Sequence, residues 1–228
     1  MAGTIIYLGN KNYSSWSLRP WLALKQTGIP FDEEVICLDQ SDSAERIRRH
    51  SPSGKVPCLI HEGRTIWESL GICEYLAERF PEAKLWPADL AARTHARSVA
   101  NEMHAGFPKL RQNLPMDIRS ELKAKSRAAI PEVARDIRRV AAIWRDCRER
   151  FGRDGVHGHG PFLFGGFTIA DAMFAPVATR FATYDVTLDD ACQAYVDAVL
   201  TWPAMAEWIQ AAETEQWTLT YPVLDEPM

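Results

Sequence analysis

The sequence predicts an α/β amino-terminal domain of order β-α-β-α-β-β-α, followed by an all-α helical domain. Two observations carry this. Residues 4–80 alternate short β-branched and aromatic runs with helical patterns, whereas from about residue 88 only helical periodicity remains. Between them PEAKLWPAD (81–89) has the proline-punctuated, polar character of a connection. The expected division is residues 1–82, a linker at 83–89, and a helical domain over 90–228.

The elements follow in order. TIIYL (4–8) reads as a strand. SWSLRPWLALKQT (15–27) reads as a helix that Gly28 ends, with Pro20 in the first turn or just beyond, where a missing N–H costs least. PFDEEVICL (30–38) predicts a second strand. DSAERIRRH (42–50) predicts a short helix capped by Asp42 or Ser43. VPCLIH (56–61) and RTIW (64–67) flank Glu62-Gly63, a hairpin signal. ESLGICEYLAERF (68–80) sets Leu70, Cys73, Leu76 and Phe80 on one helical stripe. The first two strands should be parallel and the closing hairpin antiparallel.

The second half predicts helices over 90–113, 118–151, 168–183, 188–200 and 203–213. Val133, Ile137, Val140, Trp144, Cys147 and Phe151 recur at helical spacing and define a buried face. Pro115 and Pro131 should break or kink their surroundings. Thr168-Ile169-Ala170-Asp171 has capping-box form, with Asp in the place of Glu or Gln.

Composition excludes several functions. A formal net charge of -4 argues against nucleic-acid binding, which needs clustered Lys and Arg. No segment approaches the ~20 apolar residues that span a bilayer, and the N-terminus lacks the pattern of a secretory signal. A cytoplasmic location is therefore expected. Five cysteines, none in C-x-x-C, predict buried thiols and neither a disulfide framework nor a zinc ribbon.

Three stretches suggest chemistry. Val56-Pro57 stands where the third strand begins; either the proline starts an edge strand in trans, or the bond is cis, which only proline makes cheap. Glu68-Ser69 opens the third helix, whose free N–H groups and dipole suit a small anion; simple capping is the plainer reading. NKNYSSWSLRP (10–20) places four hydroxyls, on Tyr13, Ser14, Ser15 and Ser17, at the start of the first helix. There the serines can cap the helix, and hydroxyl donors together with the dipole can hold an anion.

Together, the element order, Gly54-Lys55-Val56-Pro57, Glu68-Ser69 and the FTIADAMFA stretch (167–175) resemble the cytosolic glutathione S-transferase family. The likeness is to its serine-type, zeta/theta-like bacterial members. It implies a thioredoxin-like amino-terminal domain with a cis Val56-Pro57 bond. It also implies glutathione as co-substrate. Val56 would pair with the cysteinyl backbone, Ser69 would bind the γ-glutamyl carboxylate, Glu68 would face its ammonium, and Lys55 would reach the glycyl carboxylate. The zeta motif is a Ser-Ser-Cys triplet followed by Trp-Arg-Val-Arg. Aligning Arg19 with its last Arg puts Asn12 at the catalytic serine, with Tyr13 and Ser14 in the next two places. A shift of one or two residues restores a serine, which selects Ser14 first and Ser15 second, with Asn12 and Tyr13 kept open. The absence of a cysteine here separates the chain from the omega and beta classes and from glutaredoxin-like exchangers. The internal 168–171 motif is assigned to stability.

The resemblance implies an enzyme that adds the glutathione thiolate to a small electrophile held mainly by the helical domain. It implies a detoxifying role in the cytoplasm. It implies a homodimer, with no nucleic acid, membrane or metal as partner. A glutathione-dependent cis-trans isomerase of the maleylacetoacetate type and a non-enzymatic interaction module are the competing readings. His157 and His159 fall short of a metal ligand set. Met103, His104, Phe107, Phe181, Trp217 and Tyr221 are either pocket lining or core. The arginines of 135–150 read as a solvated helix face.

Overall fold

The computed structural model describes residues 3–121, 125–152 and 160–221. Strands β1 (Thr4–Leu8), β2 (Asp32–Val35), β3 (Cys58–His61) and β4 (Arg64–Trp67) form one sheet in the order β2-β1-β3-β4. β1 and β2 are parallel, and β3 runs antiparallel to both β1 and β4. The β3–β4 turn places Glu62 at φ 50° and Gly63 at φ 76°. Two positive-φ residues are what a two-residue hairpin requires.

β2 is shorter than the expected 30–38. The Ile36 N–H still reaches Leu8 O at 2.8 Å, but the Leu38 N–H is taken by the Asn10 side chain at 2.8 Å. The chain then turns through Asp39 at φ 59° and leaves the sheet.

Strand alternation divides the sheet residues between two cores. Ile6, Leu8 and Leu59 pack with Leu18, Leu22, Ile72 and Leu76 of α1 (Ser15–Thr27) and α3 (Ser69–Arg79). Tyr7, Ile36 and Cys58 face the other way, against Ile47 of α2 (Ser43–Arg48). Asp42 precedes α2 without a side-chain capping bond. Instead the Ser43 hydroxyl donates to Cys37 O at 2.6 Å and accepts from the Gln40 N–H at 2.8 Å. Pro20 is tolerated inside α1, and Gly28 (φ 72°) ends that helix.

The helical half comprises α4 (Leu90–Ala105), α5 (Pro108–Asn113), α6 (Lys125–Ala128), α7 (Pro131–Cys147), α8 (Ile169–Thr183), α9 (Asp190–Thr201) and α10 (Pro203–Thr214). α8 is almost wholly buried and packs on α1, α4 and α9, so one apolar core runs through both halves. The helix expected over 90–113 is two. Phe107 adopts φ 58°, and Pro108, lacking an N–H, begins α5. The helix expected over 118–151 is likewise interrupted. Residues 114–121 are non-helical, and Pro131 starts α7 rather than kinking it. Of the expected α7 face, Val133, Val140, Trp144 and Cys147 are buried, Ile137 and Phe151 are half-buried with Phe151 past the helix end, and Arg139 and Arg145 on the other side pair with Glu102 and Asp189.

Asp171 and Thr168 form the expected capping box at the head of α8. The fully buried Asp171 carboxylate also accepts from the Leu163 N–H (3.0 Å) and the Tyr195 hydroxyl (3.1 Å). Burial pushes its pKa up to about 6, against the opposing pull of these hydrogen bonds. All five cysteines are buried and unpaired. Burial raises the Cys192 thiol to about 11, so it behaves as an apolar group. Among the described residues, no cluster of His, Cys, Asp and Glu is placed to hold a metal ion, and no helix is long and apolar enough to cross a membrane. His157 and His159 lie outside the described residues.

Candidate functional site

The loop before β3, the start of α3 and the first turn of α1 converge on a cavity of about 270 Å³. Its walls are Trp16, Ser53, Lys55, Val56, Pro57, Glu68 and Ser69. The four residues expected to bind one ligand are thus brought together. Gly54, at φ 66°, turns the loop, and the Ser51 and Ser53 hydroxyls share a hydrogen bond at 3.0 Å. The Val56-Pro57 peptide bond is cis.

Glu68 caps α3 with φ 67° and ψ 128°. This lies outside the usual range of a residue with a side chain and costs on the order of 1–3 kcal/mol. Next to it, Ser69 is 1 % exposed, and its hydroxyl has no hydrogen-bond partner among the described residues. A buried hydroxyl left unpaired costs about 1–3 kcal/mol. A strained backbone and an orphan donor, both at a helix N-terminus and both on a cavity wall, mark a place prepared for a polar group from outside.

The hydroxyls at the head of α1 are employed differently from one another. Ser14 is the N-cap. Its Oγ donates to Ser17 Oγ at 2.8 Å and accepts from the Ser17 N–H at 3.4 Å, while Ser17 Oγ accepts from the Gly9 N–H at 3.0 Å. A methyl group on Gly9 would stand 3.1 Å from Ser14 Oγ, so glycine is what lets β1 and this cap approach. Asn12 is engaged with the helical half. Its amide donates to Asp117 at 2.7 Å, and its carbonyl oxygen accepts from the Arg119 N–H at 2.8 Å. The Tyr13 hydroxyl accepts from Arg119 at 3.0 Å. Ser15, the first residue of α1, is 8 % exposed. Neither Ser14 nor Ser15 forms part of the cavity wall; Trp16 does.

Trp16 is the residue the sequence reading passed over. Arg19 lies 4.2 Å from its ring centroid, and the His104 ring lies edge-on at 5.3 Å. Burial, helped by Arg180 and Arg111, lowers Arg19 to about 9. Burial and Arg19 also lower His104, while Glu68 pulls the other way. Met103, Phe107 and Phe181 are core, Trp217 is exposed, and Tyr221 packs edge-on against Tyr13 at 5.8 Å. A cavity of about 420 Å³ between α8, Leu200 and Ile209 and one of about 750 Å³ beside α3 and Trp86 are larger, but their walls contain no orphaned buried polar group.

Comparison with known proteins bears on the family and the fold. Residues 13–79 match the model of the glutathione S-transferase N-terminal domain, and residues 128–211 match that of the C-terminal domain. The chain is 31 % identical over 106 residues to a probable maleylacetoacetate isomerase of Caenorhabditis elegans, covering 46 % of this chain and 49 % of that protein. It is 34 % identical over 113 residues to the maleylacetoacetate isomerase of Rattus norvegicus, covering 48 % and 51 %. The chain thus spans about half the length of these curated relatives. A Burkholderia glutathione transferase homologue, crystallised with bound glutathione, superposes with a TM-score of 0.69 at 19 % identity, covering 94 % of this chain and all of that one. The two domain matches between them take in most of the chain, in the order and with the fold described above, and the protein belongs to the glutathione S-transferase family.

Proposed function

We propose that this protein is a glutathione transferase that binds glutathione in the 270 Å³ cavity. The observation that carries the reading is the orphaned Ser69 hydroxyl, at the head of α3, on the same cavity wall as Val56. In this reading Ser69 and the α3 N-terminus take the γ-glutamyl carboxylate and Glu68 takes the ammonium. The Val56 backbone pairs with the cysteinyl unit, and Lys55 meets the glycyl carboxylate. The sulfur lies toward the head of α1. Ser14 and Ser15 are the candidate donors to it; the Ser14 hydroxyl is already engaged with Ser17.

The chemistry is nucleophilic. A hydrogen bond to sulfur and the positive end of α1 favour the thiolate over the thiol near neutral pH. The thiolate attacks an electrophilic carbon; a C–S bond forms, and the leaving group departs with its bonding pair. The thiol proton goes to solvent. Holding both reactants together supplies much of the remaining rate. A homodimer, a cytoplasmic location and a detoxifying role belong to the same proposal, with residues 1–82 and 90–228 as the domains and 83–89 as the linker.

The likeness to maleylacetoacetate isomerases favours one second reading, in which the same thiolate adds to a double bond and is then eliminated. Titration calorimetry with glutathione, followed by turnover of a chlorinated dinitrobenzene and of a cis diketo-diacid side by side, decides between them. Conjugation of the aromatic substrate is the expected result. Turnover of the diacid alone moves the assignment to isomerase. No heat of binding at millimolar glutathione refutes both and leaves an interaction module.

A further inference from the structure

Behind Trp16 the fold buries positive charge without a matching acid. Arg19, on α1, is fully buried, and none of its three guanidinium nitrogens has a hydrogen-bond acceptor among the described residues. Such a group normally finds a carboxylate, since an unpaired buried cation is among the costliest features a fold carries. Here its charged neighbours are two further arginines, Arg180 and Arg111. Arg180 spends its donors on the carbonyls of Leu114 (2.7 Å) and Pro176 (3.0 Å). Arg111 donates to His104 O at 3.1 Å, and its guanidinium carbon lies 5.3 Å from the Trp16 ring centroid. None of the three forms an ion pair among the described residues. Two acids touch the fringe: Asp136, which acts on Arg111 and accepts from the Leu110 N–H, and Glu68, which acts on His104.

His104 adds a second orphan. Its Nδ1 is buried and has no partner among the described residues, and its ring packs edge-on against Trp16. Trp16, His104 and Arg111 are only half-buried, so this shelf is open to solvent while Arg19 is not. Trp16 is the hinge of the arrangement, since its indole stacks on Arg19 and also forms the wall of the glutathione cavity.

We propose that the shelf formed by Trp16, His104 and Arg111, with the Arg19 charge beneath it, is a subsite for a carboxylate group on the second substrate. The preferred electrophile is then a small organic acid. A carboxylate seated there gains charge-assisted hydrogen bonds from Arg111 and His104 and the field of Arg19. A neutral analogue of the same shape leaves the orphaned donors as they are. The assignment rests on the reading that the adjoining cavity takes glutathione.

The test uses the full chain and two probes on the same ring, a chloronitrobenzoate and its uncharged methyl ester, which differ by the charge and one methyl group. Their affinities are measured by titration calorimetry without glutathione, so binding of glutathione, read separately on the same preparation, is a distinct result. The expected outcome is about tenfold or greater preference for the acid, weakened by salt. Arg111→Gln should abolish that preference, and Arg111→Lys should retain part of it. Equal affinity for acid and ester, binding of neither, or a preference that survives Arg111→Gln overturns the proposal. Should Arg111→Gln not fold, the wild-type comparison and Arg111→Lys still decide. Glutathione binding without acid preference removes this subsite alone, and acid preference without glutathione binding removes the transferase reading alone.

Discussion

In the proposed reading, Ser69 is a group that is unfavourable in the protein alone and favourable once glutathione binds. Its hydroxyl is buried and unpaired, so removing it should not lower stability. Ser69→Ala is expected to leave the melting temperature unchanged or slightly higher while weakening glutathione binding roughly tenfold or more, the scale of a hydrogen bond to a charged group. A calorimetric titration beside a thermal melt reads both. The two serines of α1 should separate in the same way. Ser14→Ala removes a cap and should cost about 1 kcal/mol of stability. Ser15→Ala should be close to neutral for stability yet raise the pKa of the bound thiol, followed by its ultraviolet absorbance against pH. If Ser14→Ala alone raises that pKa, the donor is Ser14. That Lys55, Val56, Glu68 and Ser69 would lie together was expected from the family resemblance, which an X-Pro bond and a helix start carried, and the four line one cavity. The choice between Ser14 and Ser15 was not legible in the sequence. It depends on where the Ser17 hydroxyl lies and on the space Gly9 leaves, neither of which has a local signature.

Among the elements, α8 depends most on one cap. Asp171 gathers the Thr168 N–H and hydroxyl, the Leu163 N–H and the Tyr195 hydroxyl. Asp171→Asn keeps one acceptor but turns an NH2 group toward donors, and should cost at least about 2 kcal/mol in denaturant unfolding near neutral pH. The pH dependence has a definite sign. The folded pKa stands near 6, above the ordinary 3.8, so the fold favours the protonated form. Its contribution is full below about 4 and is lost as pH rises through about 6, by up to about 3 kcal/mol. The stability difference between wild type and Asp171→Asn should therefore narrow as pH rises across that window. A difference that widens would contradict the burial argument. The capping box could be read directly from Thr168 and Asp171, and α7 from its apolar period. The break around Pro115 was expected from the proline, whereas the one at Phe107 was missed although Gly106 and Pro108 flank it.

Over the whole molecule, the halves are joined at the head of α1. Trp208 of α10 packs against Trp21 at 5.1 Å and donates to Lys11 O at 2.9 Å. Beyond α10, the Glu215 carboxylate accepts the N–H groups of Lys11 (2.6 Å) and Asn12 (3.0 Å). Arg119 donates to the carbonyls of Glu215 and Trp217 (2.8 Å to the latter) and to the Tyr13 hydroxyl. Glu215→Ala should leave the sheet intact but speed amide exchange over residues 10–14 and weaken glutathione binding several-fold. Unchanged exchange at Lys11 and Asn12 would show that the carboxylate does not hold this turn. None of this could be read from sequence, since the partners lie about one hundred to two hundred positions apart.

That clasp has a practical corollary. A shortened version stopping at Thr214 would keep every described helix yet release the turn that leads into the serines proposed to activate the thiol. Trimming the tail should therefore be felt first at the sulfur, long before the protein loses its shape.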